Sequence, residues 1–324
     1  MTVLVTGGAG YIGSHVVRKL LEQNYKVVII DNLSRGHKES VPGEAVFENA
    51  DLLDAEAIRE VLSRHAIDAI IHFAAFAYVG ESVDNPEIYY KNNVGGSISL
   101  LSALKDFNIK KVVFSSTCSL YGNPEIIPIS EDEGIKPINP YAKTKHMIEN
   151  VLQDYDTAYG MKHVALRYFN AAGDDFDGVI GESHQPETHL IPIVLEAALG
   201  KRKSVQVFGN DYPTSDGTCI RDYIHVYDLA DAHIRALKYL SEGGKSEVVN
   251  LGTGDGYSVM QIIETAKKVT GCEIPYTVSG RRAGDPAVLI ADNKKAKQLL
   301  GWSPEHNLED IISSAWTWHK NMKY

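Results

Sequence analysis

Tyr141 and Lys145 stand four residues apart just after Pro140, where the pattern predicts a helix over 140–159 with the proline in its first turn. At that spacing the two side chains share one helical face. A phenol ordinarily ionises near pH 10, so a tyrosine acting as a base at neutral pH needs a shift of roughly 3 units, about 4 kcal/mol. A neighbouring ammonium favours the phenolate and pushes in that direction. The pair therefore predicts proton abstraction from a hydroxyl. Taken alone, such a pair is usually a solvated helix surface; its neighbours in the chain decide otherwise. A hydroxyl-rich strand end precedes it, Ser115-Ser116-Thr117-Cys118-Ser119. Thr117 is placed to bond a substrate hydroxyl and relay its proton to Tyr141. Ser115 and Ser116 serve equally well to satisfy backbone groups. Cys118 reads as a small buried filler, since no general base stands beside it.

Such chemistry needs a hydride acceptor, and the first thirty-one residues predict one. Val3-Leu4-Val5 is an apolar run fit for a buried strand. After Thr6 come Gly7, Gly8, Gly10 and Gly13, then Ile12, Val16, Val17, Leu20 and Leu21 on one helical face. A second apolar run, Val27 to Ile30, ends in Asp31. Strand, glycine turn, helix, strand and closing acid form the dinucleotide-binding pattern, with the pyrophosphate expected at the helix N-terminus. The Asp31 carboxylate can bond ribose hydroxyls but would repel a 2′-phosphate, so NAD is predicted over NADP.

The elements that must position these groups follow the same rhythm. Residues 32–36 read as a loop, 45–49 as a weaker strand and 55–65 as a helix. Residues 67–73 make a buried strand, whose end His72-Phe73-Ala74-Ala75 would let a cofactor ring lie close. A helix is predicted over 86–107, then strands over 112–115 and 164–168 flanking the helix at 140–159. This alternation predicts an α/β fold, a Rossmann-type doubly wound parallel sheet, whose ligands sit at the strands' carboxyl ends. Beyond about residue 170 the loops lengthen, notably over 171–187 and 209–217. The expectation is an NAD-binding domain over 1–170, completed by segments within about 205–255, and a smaller C-terminal α/β substrate-binding domain over 171–324. Residues 248–251 read as one more strand of the main sheet.

With 324 residues and 44% hydrophobic content, the chain can fill one large core or two moderate ones. A formal charge of -10 disfavours nucleic acid and anionic membranes as partners. No apolar stretch reaches the roughly 18 residues of a membrane span. The chain enters a strand at once, without a basic leader, and its three cysteines are too few and too scattered for a disulfide framework. A cytoplasmic enzyme is expected.

Together these features resemble the extended short-chain dehydrogenase/reductase family, and within it the UDP-hexose 4-epimerases. The resemblance runs along nearly the whole chain. It takes in residues 7–15, 31–34, 79–82, 89–94 and 115–117, the Tyr141–Lys145 pair, and residues 166–173, 208–212 and 216–223. Arg281-Arg282 with Gly284-Asp285 and Gly301-Trp302 complete it. It implies a tightly held NAD that takes the C4 hydride while Tyr141, with Lys145 and Thr117, takes the hydroxyl proton. The 4-keto sugar turns over and the hydride returns to its other face. Cofactor contacts carried over are Gly7, Gly10, Tyr11, Ile12 and Gly13; then Asp31, Asn32, Ser34, Asp51 and Leu52; then Phe73, Ala74, Ala75 and Asn92; and finally Ser115 and Phe169, beside Tyr141 and Lys145. For the UDP-sugar, Arg221 and Arg282 would clamp the diphosphate. Asp285 would take a ribose hydroxyl and Asn170 the diphosphate or sugar. His189, Leu190, Gln206 and Phe208 would line the uracil side.

Two departures from the family pattern stand out. A lysine near the cofactor is replaced by Ala77, with Tyr78 beside it. A bulky tyrosine that closes the sugar pocket is replaced by Leu289, which predicts that N-acetylhexosamine substrates are also accepted. Related 4,6-dehydratases carry an Asp-Glu pair where this chain has Cys118 and Ser119, which argues against elimination chemistry. A UDP-xylose/UDP-arabinose 4-epimerase and a non-catalytic NAD sensor remain as alternatives. Family members pair through helices corresponding to 86–107 and 140–159, so a homodimer is expected. No metal is expected: Pro186 keeps His184 and His189 from sharing a helix, and their spacing matches no zinc template.

Overall fold

The computed structural model describes residues 1–282 and 285–324; Gly284 lies outside them. Seven parallel strands form one sheet, in the order Glu247–Leu251, Lys162–Tyr168, Lys111–Ser115, Ala69–His72, Thr2–Thr6, Lys26–Asp31, Val46–Asn49. Successive side chains of a strand face opposite ways, and the first strand shows the consequence. Val3 and Val5 enter a core shared with Val16, Val17 and Leu20 of helix Tyr11–Glu22 and with Leu229 and Leu237 of helix Val226–Ser241. Leu4 enters the opposite core, with Ile58, Leu62, Leu100, Leu104, Ile148 and Leu152. Helices cover both faces, so the strands can be apolar throughout.

The expected strands and helices of the first 170 residues are present, Pro140–Tyr159 with its predicted bounds. The helix predicted over 86–107 is continuous in course but changes its winding. It runs through Pro86–Tyr89, a π-helical turn Tyr90–Gly95, and Gly96–Asp106. Such turns insert an extra residue per turn and recur at functional sites. Here the turn carries Asn92 to the cleft described below, while buried Asn93 bonds both the amide and the carbonyl of Phe76.

Glu247–Leu251 joins the sheet beside Lys162–Tyr168, as the apolar run 248–251 predicts. Val205–Phe208 does not; it pairs with Tyr276–Ser279. Its buried Val205 and Val207 pack in a separate core with Ile191, Leu195, Ile263 and Ile312. The segment returning to the main sheet therefore starts later than residue 205. Helix Val226–Ser241 and the strand after it supply it.

Candidate active site

A cleft of about 930 Å³ opens where the sheet's connections diverge from its first strand, at the strands' carboxyl ends. On one wall is the glycine turn. Gly7 has φ +72° and lies so close to the next strand that a Cβ would sit 2.7 Å from the Ala74 amide nitrogen. At Gly13 a Cβ would sit 2.1 Å from the Gly7 carbonyl oxygen. The helix that follows starts at Gly10 without a side-chain cap, so its first amides remain free for a pyrophosphate. Asp31 closes the neighbouring strand, its carboxylate accepting from the Ala9 amide (3.0 Å) and the Leu33 amide (2.8 Å). This cradle fits a dinucleotide, with the acid placed for a ribose.

The helix bearing the tyrosine–lysine pair is fixed at its start by Asn139, whose side chain accepts from the Ala142 amide at 2.9 Å, and by Pro140. Tyr141 and Lys145 are consequently buried on the same face. Lys145 Nζ donates to the Ser115 carbonyl at 2.7 Å. Ser115 also bonds the Tyr168 hydroxyl at 2.6 Å, and Ser116 the Glu149 carboxylate at 2.6 Å. Beneath them Arg167 grips Glu149 through two bonds of 3.0 and 2.6 Å, with both side chains almost wholly buried.

The electrostatics differ from the expectation that the ammonium depresses the phenol. Burial, then Tyr168, pushes the Tyr141 hydroxyl far up, while a hydrogen bond with Thr117 pulls the other way. Burial brings Lys145 down to about 7, opposed by Glu149. In this protein burial thus works against the charged form of both groups. Lowering the phenol falls to a positive charge arriving with the cofactor. Burial also raises the Cys118 thiol to about 12, in keeping with a packing role.

The opposite wall comes from the C-terminal half. Arg221 pairs with Asp285 at 3.2 Å, and the Arg282 guanidinium lies 3.9 Å over the Phe208 ring. Asn170 Nδ2 reaches the Asp222 carbonyl at 3.2 Å. Every other residue singled out for cofactor or substrate also lines the cleft, including Ser34, Asp51, Leu52, Thr117, Phe169, Leu190 and Gln206. Leu289 is the exception and a correction. It is half-buried with Tyr121, Ile129, Phe169 and Ala291, one layer behind the wall, because its two-residue strand pairs with Ile220–Arg221.

Arg35 escaped the sequence reading. Its guanidinium stands 5.0 Å over Tyr78 and 5.2 Å over Phe76 and pairs with Glu81 at 2.6 Å, on the cleft wall beside Ala77. Its place in the 32–36 loop at the end of the second strand was the one local signal, since its partners lie over forty residues away. A shared helix is not what brings His184 and His189 together. No helix presents them, as Pro186 predicts, yet the loop itself turns both rings towards Glu182 and Glu187. His189 Nδ1 lies 2.8 Å from Glu182 and 2.9 Å from Glu187.

The sequence pattern of the NAD dependent epimerase/dehydratase family matches residues 3–252. The chain is 52% identical over 322 residues to a UDP-glucose 4-epimerase of Lacticaseibacillus casei, covering 99% of this chain and 97% of that one. Its fold is similar to the crystal structure of a UDP-glucose 4-epimerase from Brucella ovis in complex with NAD (TM-score 0.95, 50% identity, 97% of each chain covered). It is also similar to a UDP-glucose 4-epimerase from Stenotrophomonas maltophila with bound NAD and formylated UDP-arabinopyranose (TM-score 0.97, 41% identity, 99% of this chain and 98% of that one).

Proposed function

The chain belongs to the NAD dependent epimerase/dehydratase family, and from that premise we infer that its cleft inverts C4 of a UDP-hexose through a transient 4-keto sugar. It is an NAD-dependent isomerase. The observation that carries this reading is one cleft lined on one side by the glycine turn and the Tyr141–Lys145 pair and on the other by Arg221, Arg282 and Asp285. Bound NAD supplies the acceptor and donor for the C4 hydride. Tyr141 takes the proton of the 4-hydroxyl and returns it, with Thr117 as relay. Lys145, held against the Ser115 carbonyl, sets the charge beside the phenol. Arg221 and Arg282 hold the diphosphate, Asp285 a ribose hydroxyl and Asn170 the sugar side. Leu190, Gln206, Phe208 and His189 border the base. Strong contacts to the nucleotide and few to the hexose let the keto sugar turn while the UDP stays bound.

N-acetylhexosamines belong to the proposed substrate range. Leu289, packed behind Phe169 of the wall, takes less room there than a tyrosine would, which supports this. A homodimer across helix Pro140–Tyr159 and the helical run from Pro86 to Asp106 is part of the reading. Ile98, Met147 and Tyr159, exposed on those helices, support it. So is a cytoplasmic setting, in keeping with three free cysteines. The division into an NAD-binding part and a UDP-sugar-binding part rests on the two walls of the cleft.

Purified protein given UDP-galactose or UDP-N-acetylgalactosamine, with no added dinucleotide, should yield the C4 epimer by NMR. Tyr141→Phe should abolish this while NAD stays bound. UDP-hexoses recovered with C4 unchanged from folded, NAD-carrying protein would refute the reading. UDP-xylose in the same assay tests the pentose alternative.

A further inference from the structure

The loop between the Asn170–Ala172 strand and the Leu190–Ala198 helix brings Glu182, His184, Glu187 and His189 together, with one ligand-type atom from each within 4.8 Å of all the others. Both imidazoles turn the same nitrogen, Nδ1, towards the same oxygen, Glu182 Oε1, at 3.1 Å from His184 and 2.8 Å from His189. Glu187 closes the ring, 2.9 Å from His189 Nδ1 and 3.7 Å from His184 Nδ1. His184 Nδ1 is shut off from solvent, yet none of these neighbours meets hydrogen-bonding geometry with it. A buried nitrogen facing two carboxylates needs either a proton or a cation between it and them. We propose that Glu182, His184, Glu187 and His189 form a structural site for a divalent d-block cation, best matched by Zn²⁺.

The donor set decides the metal class. Two imidazoles with two carboxylates suit zinc rather than calcium or magnesium, which take oxygen ligands. Tetrahedral zinc at about 2.1 Å from each ligand sets neighbouring ligand atoms roughly 3.4 Å apart. The four nitrogen–oxygen separations run from 2.8 to 3.7 Å, on either side of that value, and all four ligand atoms lie within 4.8 Å of one another. Two carboxylates neutralise the charge of the ion. Four protein ligands leave no open position, which marks the site as structural rather than catalytic.

The surroundings hold these ligands as an outer shell should. Glu187 Oε1 accepts from the Thr188 and His189 amides, each at 2.7 Å. The Glu182 amide donates to Asp174 at 2.7 Å, and its carbonyl accepts from the Trp318 indole at 2.9 Å. His184 stands edge-on to Tyr11 and Tyr78 on the cofactor wall. An ion here would pin the 182–189 loop across the end of the cleft, tying the glycine turn to the helix that borders the base.

The test uses the purified holoenzyme, stripped with a chelator and titrated with Zn²⁺ alone, then with Co²⁺ alone. Expected are one equivalent of zinc per chain kept through gel filtration, a zinc-dependent rise in Tm, and the intense visible bands of tetrahedral cobalt. His184→Gln and Glu187→Gln should each weaken zinc at least about 10–100-fold, the cost of losing an outer-shell partner alone. The cobalt spectrum and zinc stoichiometry are read on unaltered protein, so a variant that fails to fold does not blunt the test. Absent stoichiometric zinc, an octahedral cobalt spectrum, or equal affinity in both folded variants would overturn the proposal and leave a plain histidine–carboxylate ion-pair cluster.

Discussion

Replacing Lys145 by methionine should make the dinucleotide-free protein more stable at pH 7 and less so in relative terms as the pH rises. The lysine is 3% exposed and its pKa falls from 10.5 to about 7. Its unfolded counterpart therefore binds more protons between pH 7 and 10.5, and stability rises with pH across that window. At pH 7 the discrepancy costs the wild type on the order of 4 kcal/mol. Methionine fills nearly the same volume without that cost, but loses the bond to the Ser115 carbonyl, worth about 1 kcal/mol. Between pH 7 and 9 the wild type should regain about 2 kcal/mol relative to the variant. Urea unfolding of both proteins at several pH values measures the gap, in which other titrating groups cancel. A gap that stays constant with pH would refute the argument, whatever its sign at pH 7. Epimerase turnover should nevertheless collapse in the variant, so that the residue is a stability cost retained for function.

Further expectations follow from the same geometry. Gly13→Ala would drive a methyl to 2.1 Å from the Gly7 carbonyl; it should cost at least about 1–3 kcal/mol and yield protein without NAD, read from the absorbance of the purified material. Glu149→Gln removes one charge of a buried pair and should destabilise by roughly 3–5 kcal/mol. A loss well under 1 kcal/mol in denaturant unfolding would show that Arg167 finds another partner. Leu289→Tyr should lower kcat/KM for UDP-N-acetylgalactosamine relative to UDP-galactose by about tenfold or more; an unchanged ratio would mean that this position does not shape the sugar site.

Much of the protein was legible in order along the chain, because its signals are local. The glycine turn, the acid closing the second strand and the apolar runs are each set by neighbours within a few residues, through backbone sterics and side-chain periodicity. Asn139-Pro140 likewise starts the helix that places Tyr141 and Lys145 on one face. Charge and burial were not legible in that way. Whether Lys145 lowers the phenol depends on what surrounds both, and burial works against the charged form of each. Leu289 was expected to face the sugar and instead packs behind Phe169, since strand pairing with Arg221 fixes its direction.

What the sequence by itself determined is the strands and helices of the first 170 residues, the glycine turn closed by Asp31, and the placing of Tyr141 and Lys145 on one helical face. Tertiary structure alone decided which distant residues share a wall of the cleft. Arg35 beside Ala77 owes its position to Tyr78 and Glu81, and the Glu182–His189 cluster to a loop clasped by Trp318 and Asp174. Periodicity reports how a segment coils against its nearest neighbours. Convergence of side chains from separate segments is set by packing between them, which no local pattern encodes.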